Sequence, residues 1–353
     1  AGLTSTATAG SLEEAIKGVN ISGFVEYRLE KSLNVASTDR ASEAKSDLDI
    51  RLQAVVPVND MISATIRFDE SFDEDTDNSG ALRSASRTLD VDRAYFTYMN
   101  DGLSATFGLI GTPLTDGSQS DGMTVSKSFG DVSLTAGYLY TSASVAGDDI
   151  YFASIAGKAG VVSYDATFAA LDDADALDGN ANAETHEANF LDAGISGKMD
   201  VVSLKARYSS KTGVTSGNMD QKQWLVSASA TLGAVNLSAT YAANGKDGGA
   251  TLIDGSDAGS TEITMGALEL HGEGDAQAIL VDASVAVGAK GTARLRYASM
   301  SDDDTANNDL DVIRANYYYQ MSSNFKGYLE YTSNDREGTN KASDYVIGAK
   351  YSF

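Results

Sequence analysis

Nine basic side chains carry what chemistry this sequence can do: Arg28, Arg51, Arg67 and Arg93 early in the chain, and Lys205, Arg207, Arg294, Arg296 and Arg314 later. Each stands at alternate spacing to a run of apolar residues. Ile21, Gly23, Val25, Tyr27 and Leu29 share one parity while Glu26, Arg28 and Glu30 share the other; Leu48, Ile50, Leu52, Ala54 and Val56 likewise oppose Asp47, Asp49 and Arg51. A period of two is that of a pleated strand with one apolar and one wet face. Acidic groups, among them Glu26, Asp49, Asp69 and Glu330, share the wet parity. Opposed across a narrow aqueous gap with low-dielectric walls, such charges make a transverse field that orients polar solutes and penalises apolar ones. Paired along one wall, they neutralise one another and stiffen it. The sequence leaves both arrangements open.

The acidic side of such a gap is expected on Thr112 to Gly122, T-P-L-T-D-G-S-Q-S-D-G, where Asp116 and Asp121 would face the basic wall. Other acid clusters, at Asp69 to Asp77, Asp172 to Asp178 and Asp302 to Asp304, have carboxylates at alternate positions. None matches the twelve-residue calcium loop with its Gly at six and Glu at twelve, so they read as solvated surface that concentrates cations. With no Cys and two separated His, His186 and His271, thiol chemistry, a His-rich metal centre and a His-dependent triad are disfavoured. A barrel-embedded lipase would need a Ser–His pair on one lipid-facing rim, and both His fall in spacers. A net charge of −24 argues against nucleic acid as a partner. No enzyme is expected.

The elements that must position these charges are strands. The stretch Asp344 to Phe353 puts Tyr345, Ile347, Ala349, Tyr351 and Phe353 on one face, with aromatics at both ends, as a strand crossing an outer membrane does at the two lipid–water interfaces. Its final Phe resembles the signal read by the outer-membrane assembly machinery. Upstream, alternating segments are separated by spacers that are alternately long and short. The count is about eighteen strands, or sixteen if Met123 to Phe129 fails, of roughly the ~9 to 11 residues a transmembrane strand needs. No apolar run approaches the ~20 residues of a membrane helix, and no short repeat supports a solenoid. The fold read from this is an all-β, antiparallel transmembrane barrel over residues 19–353. Residues 1–18 form a lead-in with a short periplasmic helix over Ser11 to Gly18, capped by Ser11 and stopped at Gly18. The spacer Asn244 to Ala276 carries Ile263 to Leu270 as a possible short element of its own.

The alternation of turns and loops puts the short turns on the periplasmic rim and the long loops outside. The expected function is an outer-membrane porin passing ions and small hydrophilic solutes by diffusion, with cations preferred because they enter through an acidic mouth. The competing class is a non-conducting barrel acting as an adhesin or surface antigen. Outer-membrane lipid and lipopolysaccharide are the expected surroundings. Small outward residues, Gly23, Ala54, Ala64 and Ala105, would admit a neighbouring wall and so a homotrimer.

The stretch Ser11 to Leu29, S-L-E-E-A-I-K-G-V-N-I-S-G-F-V-E-Y-R-L, resembles the mature N-terminus of the Campylobacter-type major outer-membrane porins. Asp92 to Gly111, D-R-A-Y-F-T-Y-M-N-D-G-L-S-A-T-F-G-L-I-G, is similar to their fourth and fifth strands, with Arg93 at the matching basic position. The resemblance covers the early part of the chain and the last strand. It implies an eighteen-stranded barrel, usually trimeric, with cation preference. It also implies acidic residues near the constriction, with a Ca²⁺ ion held there in some members; Asp116 is the aligned position for that metal.

Overall fold

The computed structural model describes residues 18–34, 42–75, 89–111, 114, 120–141, 148–173, 188–213, 220–249, 263–270, 273–302, 309–337 and 341–353. The helix expected over Ser11 to Gly18 falls, but for Gly18 itself, outside these residues, as does Asp116. The first strands are β1 (Asn20–Asn34), β2 (Ser42–Pro57), β3 (Ile62–Asp75), β4 (Asp90–Asn100), β5 (Leu103–Ile110), β6 (Ser120–Phe129) and β7 (Val132–Thr141). They continue as β8 (Asp148–Ala159), β9 (Val162–Asp173), β10 (Ala188–Met199), β11 (Val202–Thr212), β12 (Gln221–Leu232) and β13 (Val235–Asn244). A short ribbon, β14 (Thr264–Met265) and β15 (Leu268–Glu269), precedes β16 (Ala276–Val287), β17 (Gly291–Asp302), β18 (Leu310–Gln320), β19 (Phe325–Arg336) and β20 (Ala342–Ser352).

Among the described residues, eighteen strands form one antiparallel sheet, each paired with its neighbours in chain order, β13 with β16 across the ribbon. The sheet closes through β1 and β20, from Phe24↔Ser352 to Asn34↔Ala342. Gly23 N donates to Phe353 O at 3.0 Å and Phe353 N to Gly23 O at 3.1 Å, extending the seam by one more pair. Closure leaves no edge with unpaired amides, which hydrocarbon would penalise. Segment Ser120–Phe129 is a full strand, so the barrel has eighteen strands and not sixteen.

The connections on one rim run two to four residues. Asp101 and Gly102 there hold φ of 45° and 70°, the left-handed pair of a tight hairpin turn. On the other rim the strands reach further than hydropathy alone indicates. Ser71 to Asp75, within the acid cluster read from sequence as solvated surface, continues β3 and pairs with β2 as far as Lys45↔Asp75. Main-chain pairing does not depend on side-chain polarity, so a hairpin can outlast its apolar face.

The outward parity carries the exposed apolar side chains: Tyr27, Leu29, Phe96, Phe107, Trp224, Ile347 and many more. Cross-strand aromatic pairs such as Phe96–Phe107 and Trp224–Tyr241, with ring centroids 5.5 and 5.0 Å apart, lie on this face. That inside-out distribution is stable only against lipid. The buried apolar clusters lie on the other parity, inside the barrel and toward the long-loop rim. One joins Ile110, Leu139, Ile150, Phe152 and Phe190 with Leu114 of the third long loop. The second joins Leu225, Ala278, Met300, Leu310 and Val312 of the wall with Ile263, Met265, Leu268 and Leu270 of the ribbon.

Candidate functional site

The early basic residues line one stretch of the inner wall, and register gives most of them acidic partners. Arg28 lies opposite Asp47 and Arg51 opposite Asp69 in the β1–β2 and β2–β3 ladders. Arg28 Nη2 stands 3.0 Å from Asp49 Oδ2 and 3.4 Å from Asp47 Oδ2. Arg51 Nε donates to Asp69 Oδ2 at 2.9 Å. Arg67 has no carboxylate opposite it; its register partner is Arg93. The ladder slips between Arg67 and Phe68, so that β4 carries one extra residue, Asp92, which is buried on the inner side while Val91 is exposed. This bulge puts Asp92 between the two cations, where it accepts from Arg67 Nε at 2.7 Å. Arg93 is left with a main-chain acceptor, Asp92 O at 3.0 Å, and its guanidinium lies against Gly111, with no carboxylate partner among the described residues. Three of the four arginines thus meet four aspartates on this wall.

At the closing seam Glu26 accepts from Tyr328 Oη and from Lys350 Nζ, each at 2.8 Å. Lys350 Nζ also stands 3.5 Å from the Phe24 ring centroid. Lys350 has the wet parity in the closing strand, a signal that the sequence reading did not extend to the pore wall.

The later basic residues fall into two groups. On β11, Arg207 Nη2 donates to Asp165 Oδ2 of β9 at 2.7 Å and also bonds Asp192 of β10. Lys205 beside it has no carboxylate partner among the described residues. On β17 and β18, Arg294 Nε donates to Asp282 Oδ2 at 2.8 Å, and Arg314 Nε donates to Thr332 Oγ1 at 3.0 Å with Glu330 Oε1 3.4 Å away. Arg296, directly opposite Arg314, donates to the Asn316 amide oxygen at 3.2 Å and has no carboxylate partner among the described residues. This second group runs without a break through β19 and β20 into the β1–β4 wall, forming one charged arc.

Outside the charged groups and the apolar clusters, the inner wall carries cross-strand hydroxyl pairs, which sequence reasoning missed. Thr97 meets Thr106 at 3.3 Å, Ser126 meets Thr135 at 2.7 Å, Ser154 meets Thr167 at 2.8 Å, and Thr240 donates to Ser227 at 3.0 Å. Each is a directly opposed cross-strand pair. The available signal was Ser or Thr recurring at the wet parity of neighbouring segments.

Two features pack against the inner wall. Leu114, only 1% exposed, joins the inner cluster on β5 and β7–β10. The β14–β15 ribbon packs on the inner faces of β12, β13 and β16–β18. It is held at its base by Asn244 Nδ2, which donates to Leu270 O and, at 2.9 Å, to Glu273 O. Its tip reaches β19, where Ala267 N donates to Asn334 Oδ1 at 3.1 Å. At that tip Gly266 holds a φ of 63° and an added Cβ would lie 3.1 Å from Thr332 Cγ2, so a side chain there is both strained and crowded. The element read over Ile263 to Leu270 is therefore real, and it turns into the barrel.

Asp121 does not join the constriction. It belongs to β6, on the same outward face as Met123 and Val125, opposite Leu109 and Tyr140. The strand begins at Ser120, and its parity turns Ser120 and Gly122 inward instead. Among the described residues no group of three or more His, Cys, Asp or Glu is placed to hold a metal ion.

A family model described as Gram-negative porin matches residues 1–339. Among solved structures the chain is similar to Pseudomonas aeruginosa OccK3 (OpdO), at 13% identity over 97% of this chain and 98% of that one, with a TM-score of 0.68. It is also similar to P. aeruginosa OpdQ (14%, 97% and 99%, TM-score 0.65) and to P. aeruginosa OpdK with vanillate (12%, 95% and 98%, TM-score 0.68). At these identities the likeness is one of fold. No curated protein sequence matches the chain.

Proposed function

This chain belongs to the Gram-negative porins, and from that premise we propose that its channel passes small hydrophilic solutes with a moderate preference for cations. It is an outer-membrane β-barrel, so the wet parity lines a water-filled path and the apolar parity meets lipid. The observation that carries the preference is the pairing of the basic wall. Arg28, Arg51 and Arg67 each have a carboxylate on them, so of the four only Arg93 is left unpaired and they present no free positive ladder to a passing ion. A net charge of −24 then leaves the acidic excess to act on ions. Reversal potentials across a planar bilayer in a KCl gradient test this. A potential of the cation-selective sign is expected, and one of the anion-selective sign refutes the preference.

We read the protein as a passive channel and not an enzyme, since the inner wall presents ion pairs and hydroxyl pairs. The resemblance of Ser11 to Leu29 and Asp92 to Gly111 supports placing it near the Campylobacter-type porins. On the same ground Asp116 is our candidate for a calcium ligand at the constriction. A homotrimer is supported by Ala54, Ala64 and Ala105 on the outward parity. Gly23, the fourth small residue of that set, is covered by the Phe353 ring, whose Cζ would lie 3.1 Å from an added Cβ.

A further inference from the structure

The outer wall at the closing seam holds a trough that neither ion passage nor barrel closure requires. Two depressions there, with volumes of ≈ 790 and ≈ 490 Å³, follow one another down the lipid-facing side of β18–β20 and β1, with the row Tyr317, Leu329, Ile347 and Leu29 as their shared border. Cross-strand register explains its shape. In the row Tyr319, Gly327, Ala349, Tyr27, two small residues sit side by side between two tyrosines. Two rows nearer the long-loop rim, Tyr331 and Tyr345 pack with tilted rings, centroids 5.0 Å apart, and Lys31 lies directly opposite Tyr345. Lys31 is exposed on the outward face and has no carboxylate partner among the described residues.

An unpaired ammonium beside the aromatic belt is unusual on a chain of net charge −24, whose surface otherwise repels anions. At headgroup depth it attracts lipid phosphate. From Lys31 down to the row of Gly327 and Ala349 is two steps of two residues, about 13 Å of strand. At the ~40° tilt of a barrel strand that is about 10 Å of depth, within one leaflet of the ~30 Å hydrocarbon core. A second barrel would dock better on a flat face of small residues. Here the projecting tyrosines wall a slot suited to one hydrocarbon chain.

We propose that this trough is a binding site for one phosphorylated outer-leaflet lipid, its phosphate on Lys31 and an acyl chain lying between the tyrosines over Gly327 and Ala349. The test is native mass spectrometry of the folded full-length barrel in detergent, titrated with bis-phosphorylated lipid A and, separately, with the same lipid after dephosphorylation. Heat-modifiable gel migration confirms that each variant is folded. The wild type should retain one phosphorylated lipid. Lys31→Ser should weaken retention by about fivefold, the worth of one lysine near a charged membrane surface, and Lys31→Arg should restore it. Ala349→Leu, which fills the slot, should also weaken it. Equal retention by wild type and Lys31→Ser, or of phosphorylated and dephosphorylated lipid, would overturn the proposal, leaving ordinary lipid contact. Loss of an oligomer band in Ala349→Leu with lipid retention unchanged would also overturn it, making the trough a contact between copies of the chain.

Discussion

The charged arc of β16–β20 and β1–β4 and the hydroxyl-lined wall of β5–β9 and β12–β13 are built by the same alternation and the same register, yet they respond to damage differently. In the charged arc every ion pair removes water from two charges, and only the partner offsets that cost. In the hydroxyl wall water can replace either partner at little cost. The arc can therefore store an electrical asymmetry that one substitution releases, whereas the hydroxyl wall supplies a neutral, wettable surface opposite it. The ribbon spans the border between the two, its apolar residues covering the inner faces of β16–β18 and reaching β12 and β13.

Removing that ribbon should break the comparison most. Replacing residues 263–270 by a Gly/Ser linker opens the lumen on the side of the arc and exposes Met300, Leu310 and Val312 to water. Single-channel conductance should rise severalfold, and stability should fall by several kcal/mol from the lost burial, read as a lower temperature of the heat-modifiable gel shift. Unchanged conductance would mean that the ribbon lies outside the conducting path.

Asp92→Asn should come next. It leaves Arg67 and Arg93 facing each other with no carboxylate between them. Cation preference should fall in reversal-potential measurements, and stability should drop by about 1–3 kcal/mol, the cost of stranding a partly buried charge. The opposite substitution sharpens the same point. Arg51→Ser with Arg67→Ser frees Asp69 and Asp92, so cation preference should increase. A variant with unchanged selectivity would show that these arginines do not line the narrow part of the path.

How legible these regions were in the sequence follows from what each residue's neighbours reveal. The closing strand was legible because Tyr345, Ile347, Ala349, Tyr351 and Phe353 fall on one parity, with Asp344, Gly348, Lys350 and Ser352 on the other and Val346 the one apolar exception, and a wall wetted on one side forces that alternation. Arg28, Arg51 and Arg67 were legible by parity alone. Asp92 was not, because a bulge adds a residue without announcing it; the adjacent polar pair Asp92-Arg93 was the only trace. Asp121 was misassigned because the strand start at Ser120 fixes its face, and a loop boundary is what periodicity resolves least well. The inner cores were hidden for a different reason. Leu139, Ile150 and Phe152 sit on the wet parity but pack with one another and with the distant Leu114, and such tertiary contacts are not recorded by strand periodicity.

The smallest expected effect lies in the hydroxyl wall. Ser126→Ala with Thr135→Val removes one cross-strand pair and should cost about 1 kcal/mol or less. Reversal potential should not move, and conductance should fall only slightly. A change in selectivity comparable to that of Asp92→Asn would erase the distinction between the two walls.

The claim that acidic excess, and not the paired arginine wall, sets selectivity is tested most directly by the salt dependence of the wild-type reversal potential. Exposed charge is screened as the Debye length falls from about 30 Å at 0.01 M to about 3 Å at 1 M, whereas a filter of close contacts in the lumen is not. Measured with KCl gradients of fixed ratio from low to high concentration, cation preference should be clear at low salt and shrink steadily toward none near 1 M. A preference for anions at low salt, or one independent of concentration, would contradict it.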